Sequence, residues 1–242
     1  MKLSDELTLG IYVPSYKRSD RILTYHLFEK CTYLVRKSEE NAYLDAGISR
    51  DDIWAVDDCL IDDGLKAYFY AIDNAPEDIV VVADDDIEDF QYMLSECEMI
   101  GKNKEIITSE IERIGQIMAD LGIGHAFIGP NAIPYMYDKE FAWFGIPGSV
   151  KWYNKSVFKG RPDLDVSENF DIDIILQELL YNRIALMPKY LYDKGKIDVN
   201  AGGNSARKRQ DQLDSISNMR IKWGKYFRYD LKKNKPKINV SR

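Results

Sequence analysis

The run from Ile79 to Phe90, IVVVADDDIEDF, constrains this chain more than any other stretch. An apolar run without alternation reads as a strand buried on both faces, and such strands belong to parallel sheets covered by helices on either side. Three consecutive carboxylates, Asp84, Asp85 and Asp86, follow where that strand must emerge into a loop. Side by side they repel one another, and the simplest compensation is a bound cation with oxygen ligands, Mg²⁺ or Mn²⁺. One Asp at such a junction would be an ordinary helix N-cap, with Glu88 and Asp89 favouring the positive end of a following helix; three in a row exceed that need. Two other carboxylate motifs fail on spacing. An EF-hand loop counted from Asp84 needs glycine where Asp89 stands, and a D-x-D-x-T phosphatase motif needs a hydroxyl where Glu88 stands.

The flanking sequence alternates strands with helices. Strands are expected at Leu9 to Val13, Thr32 to Arg36 and Ile53 to Val56, with helices around Ile22 to Lys30, from Glu39 to Ala46 with Gly47 as its stop, and from Gly64 to Ala71. This is the pattern of an α/β fold with a mostly parallel sheet, whose ligands collect at the carboxyl ends of the strands, where Tyr16, Glu39 and the aspartates fall. Further on, Ile106 to Leu121 is an amphipathic helix, Gly124 to Ile128 a strand, and Gly129 to Tyr137 an irregular loop. The aromatic stretch from Phe141 to Val157 suits either an acceptor groove or the core. Ser167 caps an expected helix to Asn182 with Ile172, Ile175, Leu176 and Leu179 as its buried stripe, which puts Glu168 and Asp171 on one face at its amino end. Met187 to Tyr192 reads as a last strand.

At 242 residues, 45% apolar and 30% charged, the chain suits one soluble α/β domain with or without an extension. No apolar run is long enough to span a membrane, and the amino end, MKLSDELTLG, carries acids where a secretion signal needs an apolar core, so a cytosolic location is expected. Cys31, Cys59 and Cys97 are odd in number and widely spaced, which suits thiols in a reducing compartment, and with only His26 and His125 beside them a zinc site is not expected. The net charge of −7 hides a division: residues 206–242 hold 12 Lys and Arg against 3 Asp and Glu, while the preceding 205 hold 21 against 37. Trp223, Tyr226, Phe227 and Tyr229 interleave with those bases, a combination that suits nucleic acid.

VPSYKRSDRI after the first strand, the strand-borne DDD and the acidic helix start SENFDID resemble, in order and spacing, the GT-A glycosyltransferases, which use nucleotide-sugar donors. With VRKSEENAYLDAGI and the late GG followed by WGKYF, the fuller pattern is similar to the TET-associated glycosyltransferases of bacteriophages, which place sugars on hydroxymethylated pyrimidines in DNA. The resemblance implies a GT-A domain over residues 1–205, with a basic aromatic segment at 206–242 packing on it or extending it. It implies a UDP-sugar donor with Mn²⁺ or Mg²⁺, and a DNA acceptor of the 5-hydroxymethylcytosine type. Pro14, Ser15 and Tyr16 would form the loop under the nucleotide, Arg18 or Arg21 would face the diphosphate, and Glu39 would hold the base or ribose. Asp84 and Asp86 would bind the metal, Asp85 would face the ribose, and the catalytic base would come from Glu168, Asp171 or Asp173, with Asp171 first. Arg207, Lys208, Arg209, Lys222, Lys225, Arg228, Lys232 and Lys233 would carry the DNA. Where the family often completes the metal shell with a late histidine, this chain has none after His125.

Three rivals stay open at this level: a polysaccharide or protein acceptor, a sugar-phosphate nucleotidyltransferase, and a non-enzymatic nucleic-acid-binding module. The nucleotidyltransferases carry a glycine-rich phosphate loop, and VPSYKRSDR contains no glycine. A binding module has no need of DDD.

Overall fold

The computed structural model of the protein describes residues 7–93, 97–130, 137–195 and 208–240. In chain order the elements are β1 (Leu9–Pro14), β2 (Thr32–Arg36), α1 (Glu40–Asp45), β3 (Ile53–Val56), α2 (Gly64–Asn74), β4 (Ile79–Ala83), β5 (Ile87–Met93) and β6 (Cys97–Met99). They continue as α3 (Lys104–Leu121), β7 (His125–Phe127), β8 (Phe141–Ala142), β9 (Val150–Asn154), α4 (Phe170–Tyr181), β10 (Met187–Pro188), β11 (Leu191–Gly195), α5 (Arg209–Trp223), β12 (Phe227–Asp230) and β13 (Lys235–Ile238).

Six strands form the main sheet in the order β3-β2-β1-β4-β9-β7. The first four are mutually parallel, and β9 runs antiparallel to both β4 and β7. Their carboxyl ends therefore share one edge with the amino end of β9, where Ala83 pairs with Val150 and Val82 with Lys151. Every residue of β4 is buried, as its unbroken apolar run requires. On one face Val80, Val82 and Tyr153 pack with Leu65, Tyr68, Phe69 and Ile72 of α2; on the other Val81 and Trp152 pack with Ile107, Ile111, Ile114 and Met118 of α3. Trp152 is fully buried and donates its indole N–H to the Ile111 carbonyl at 3.0 Å. Most of the aromatic stretch is thus core, although Trp143 stays 44% exposed.

Asp63 caps α2 and Asn103 caps α3, each accepting a backbone N–H, at 2.9 Å from Lys66 and 3.1 Å from Ile106. Gly47, at φ 100°, ends α1 as expected.

Three local expectations are corrected. No helix forms over Ile22 to Lys30, only a 3₁₀ turn at Thr24–His26, because buried Thr24 spends its hydroxyl on the aspartate loop. The segment after the aspartates, for which the sequence pattern names no element, is strand β5; it pairs with β11 and β6 in a second, antiparallel sheet. Ser167 caps nothing: a 3₁₀ segment, Leu164–Asn169, kinks at Val166 and α4 starts at Phe170, with Ile172, Ile175, Leu176 and Leu179 buried as predicted. The last strand splits, since β10 joins β8 while β11 joins β5.

The basic carboxyl-terminal segment folds onto the domain. Ile216 and Met219 of α5, with Phe227 and Ile238 of the β12–β13 hairpin, share a core with Val166, Ile172, Ile175 and Leu176. Among the described residues no helix is long and apolar enough to cross a membrane.

Candidate active site

The three aspartates leave β4 in different directions. Asp84 accepts a hydrogen bond from the Tyr68 hydroxyl of α2. Asp85 turns inward to 5% exposure, where it accepts Ser15 Oγ at 2.5 Å and Arg18 Nη1. Asp86 accepts the same Arg18 nitrogen at 3.2 Å. Their backbone is clasped as well. Thr24 Oγ1 donates to the Asp84 carbonyl at 2.7 Å and accepts the Ile87 N–H at 3.1 Å, while the Asp84 N–H donates to the Ser149 carbonyl at 2.9 Å. Thr24, Tyr68 and Ser149 carry no signal in the sequence, because only tertiary contact brings them to the loop.

The loop after β1 is braced by the same network. Pro14 closes β1; Ser15 Oγ lies 2.7 Å from the Tyr43 hydroxyl, which must be the donor there because Ser15 gives its own proton to Asp85. Glu39 accepts the Lys17 N–H at 2.9 Å, tying the end of β2 to this loop. The Tyr16 ring is covered by the Arg36 guanidinium, whose carbon lies 3.8 Å from the ring centroid. Arg18 is the arginine placed at the aspartates, and its buried Nε–H has no hydrogen-bond partner among the described residues. Arg21 is 41% exposed in its side chain and lies 3.4 Å from Asp20. The expectation that Asp85 faces a ribose is corrected, since both of its oxygens are taken by Ser15 and Arg18.

Lys151, at the amino end of β9, is 3% exposed in its side chain and lies 3.6 Å from Asp171 Oδ1. It also donates to the Tyr68 hydroxyl at 3.4 Å. Burial works to lower the Lys151 ammonium, yet Asp171, Asp84 and Asp193 together outweigh it and leave the group above its ordinary value. Asp193, on β11 opposite Phe90, is a site residue that the sequence pattern does not flag; its Oδ1 is buried with no hydrogen-bond partner among the described residues. The end of β11 closes on the aspartate loop, where a Cβ on Gly195 would stand 3.2 Å from the Asp86 carbonyl oxygen.

Five carboxylates, Asp84, Asp85, Asp86, Asp171 and Asp193, thus surround two cations, Arg18 and Lys151. Burial and then the charges of Asp84 and Asp85 push the Asp86 carboxyl up to about 6. Burial and Asp84 do the same to Asp193, also to about 6. An oxygen-lined site short of positive charge fits Mg²⁺ or Mn²⁺. Among the described residues no three acidic, histidine or cysteine side chains already converge as a closed cage. A hard divalent ion needs none, since it is commonly held by one or two carboxylates with substrate phosphates and water completing the shell.

Of the three base candidates, Asp171 lies in the first turn of α4 beside Lys151, its side chain 34% exposed. Glu168 is half-buried in the preceding 3₁₀ segment. Asp173 is corrected to a structural role. At 1% exposure it accepts Trp223 Nε1 at 2.6 Å, Gln177 Nε2 at 2.7 Å and Lys222 Nζ at 3.0 Å, and so staples α5 to α4. Asp173→Ala, which strands the indole N–H and leaves Lys222 only Asp163, is expected to cost about 3 kcal/mol of stability in urea melts. A loss under about 1 kcal/mol would contradict the staple.

The same bonds commit Lys222 to Asp163 and Asp173 and withdraw it from the expected DNA set. Lys208, Arg209, Lys225, Arg228, Lys232 and Lys233 are exposed. Lys208 and Arg209 stand at the amino end of α5, where the helix dipole disfavours cations, and Arg228 sits directly opposite Lys237 in the hairpin. Arg207 lies outside the described residues.

No protein-family model matches the sequence, nor does any curated protein. Solved structures do match. Glucosyl-3-phosphoglycerate synthase from Mycobacterium tuberculosis, in complex with Mn²⁺, UDP-glucose and phosphoglyceric acid, superposes with a TM-score of 0.54 at 9% identity, over 96% of this chain and 86% of that one. The chain has the GT-A fold. The same synthase with Mg²⁺ and UDP gives a TM-score of 0.50 at 8% identity, over 96% and 87% of the two chains. Residues 1–349 of TarS from S. aureus match at 0.46 and 13% identity; the chain covers 60% of that fragment's length and 77% of its own.

Proposed function

We propose that this protein is a metal-dependent glycosyltransferase that moves a sugar from a UDP-sugar to a hydroxyl, with a hydroxymethylated pyrimidine in DNA as acceptor. The observation that carries the reading is the placement of Asp84 and Asp86 at the carboxyl end of β4, with Asp171 at the same edge and linked to Asp84 through Tyr68 and Lys151. The synthase that shares the fold was solved with Mn²⁺ and UDP-glucose, which supports the donor and the ion.

Asp84 and Asp86 would hold the divalent cation, whose contribution is to neutralise charge developing on the departing nucleoside diphosphate. Arg18, whose Nη1 lies 3.2 Å from Asp86, would face the same phosphates as a fixed cation. The loop from Pro14 to Tyr16, braced by Glu39 and Tyr43, forms the floor for the nucleoside. On the acceptor side Asp171 takes the hydroxyl proton as that oxygen bonds to the anomeric carbon and the bond to phosphate breaks. Direct attack inverts the anomeric centre.

The charge division supports a polyanionic acceptor. An acidic body needs local cations to hold a polyanion, and the hairpin displays exposed ones in a cluster, with Arg228 opposite Lys237 and with Lys232 and Lys233 at the turn. The target base must leave its stack to reach the sheet edge, at a cost of a few kcal/mol. UDP release from UDP-glucose on a duplex carrying 5-hydroxymethylcytosine, against the unmodified duplex, tests the acceptor: turnover is expected only on the modified one, and equal rates would discard it. Reversing the charges of Arg228, Lys232 and Lys237 together is expected to weaken DNA binding and flatten its salt dependence, by about 0.9 in the log–log slope for each phosphate no longer neutralised, with UDP affinity unchanged. An unaltered salt slope would leave the hairpin without a role in DNA binding.

A further inference from the structure

Lys151 is the only charged side chain in β9, a strand whose five residues are all buried. A lysine is a costly residue for such a place unless something requires its charge. Its surroundings give the requirement. From α2 it meets Tyr68; from the loop after β4, Asp84; from α4, Asp171; and from β11, Asp193. Tyr68 donates to Asp84 and accepts from Lys151, so one hydrogen-bonded line runs from the donor-side carboxylate through the phenol to the ammonium. The ammonium ends that line 3.6 Å from Asp171 Oδ1. Asp171 Oδ1 is itself buried, while the side chain as a whole is 34% exposed.

From this geometry we infer that Lys151 is a positioning residue for Asp171: it fixes one carboxylate oxygen so that the other faces the acceptor hydroxyl, and Tyr68 locks that orientation to the Asp84 side of the site. The inference rests on the glycosyltransferase reading and adds to it a residue that never touches substrate. Val82 faces Lys151 across the ladder, so the ammonium reaches the edge on a rigid strand and not on a loop. A carboxylate held this way is aimed before the acceptor arrives, and a small misplacement at such a group is felt as rate.

The test is a double-mutant cycle read as UDP release from UDP-glucose with water as acceptor, on the native protein, Lys151→Met, Asp171→Asn and the two combined. Lys151→Met is expected to lower kcat by about tenfold or more while KM for UDP-glucose stays within about threefold. In the Asp171→Asn background the same change is expected to cost less than about threefold more, because a residue acting through Asp171 has nothing left to position. Losses that multiply, an unchanged kcat for Lys151→Met, or a raised KM with kcat intact would each overturn the inference, the last making Lys151 a donor contact. Should Lys151→Met fail to fold, the combined variant, which removes both charges of the pair, is still expected to fold and to match Asp171→Asn; its unfolding, or a rate well below that of Asp171→Asn, would overturn the inference in favour of a structural lysine. A native protein that neither binds UDP nor releases it from UDP-glucose defeats the glycosyltransferase reading itself, a result distinct from multiplicative losses in an active enzyme.

Discussion

Asp86→Ala is expected to abolish Mn²⁺-dependent UDP binding and sugar transfer, and at the same time to raise the melting temperature of the metal-free protein. The two effects have one cause. Burial and the neighbouring charges of Asp84 and Asp85 push the Asp86 carboxyl up to about 6, above the ordinary aspartate range near 3.9. A group whose folded value is raised stabilises the fold at low pH and loses that contribution as pH rises through the folded value. At pH 7 the ionised side chain is therefore a liability without a cation. Allowing for solvent at a side chain 23% exposed, its removal is worth on the order of 1–2 kcal/mol. The melting advantage of the variant should shrink between about pH 6 and pH 4 and vanish near the unfolded value. A variant that melts lower than the native protein at pH 7, or that still binds UDP in a Mn²⁺-dependent way, would remove Asp86 from the site.

Asp171→Asn is nearly isosteric and leaves the geometry beside Lys151 in place. Loss of the proposed proton acceptor is expected to lower kcat by about a hundredfold or more with UDP affinity unchanged. The variant also removes the closest carboxylate of Lys151, but Asp84 and Asp193 remain to hold the ammonium, so the fold should survive. A collapse of UDP affinity together with the rate would move Asp171 to the donor side and leave Glu168 as the remaining candidate base.

The parallel part of the sheet is legible in the sequence because its signals are local. The run IVVVA is buried from end to end, and Gly47, Asp63 and Asn103 stop or cap their helices through their own backbone and side-chain chemistry. The second sheet is not legible, for a physical reason. Ile87, Phe90 and Met93 recur at three, a helical spacing, and pairing with β6 and with β11 far along the chain makes that segment a strand. At the site, the acids stand out by their sequence neighbours, while their partners do not. Thr24, Tyr68, Lys151 and Asp193 lie in four different elements or turns and meet only in the folded chain. Asp173 shows the converse error: an acid at a helix start reads as a candidate base, and what decides otherwise is Trp223 and Lys222 arriving from α5.

The central claim is that a nucleoside diphosphate and a divalent ion are held together at the carboxyl end of β4. Crystals grown with UDP and Mn²⁺, measured at the manganese absorption edge, test it directly. The expected result is an anomalous peak within coordination distance of the Asp84 and Asp86 carboxylates, bridging to the diphosphate, with the nucleoside over the loop of Pro14 to Tyr16 and Arg18 on the phosphates. UDP bound with no manganese beside Asp84 and Asp86, or manganese and UDP at any other place on the chain, would contradict it.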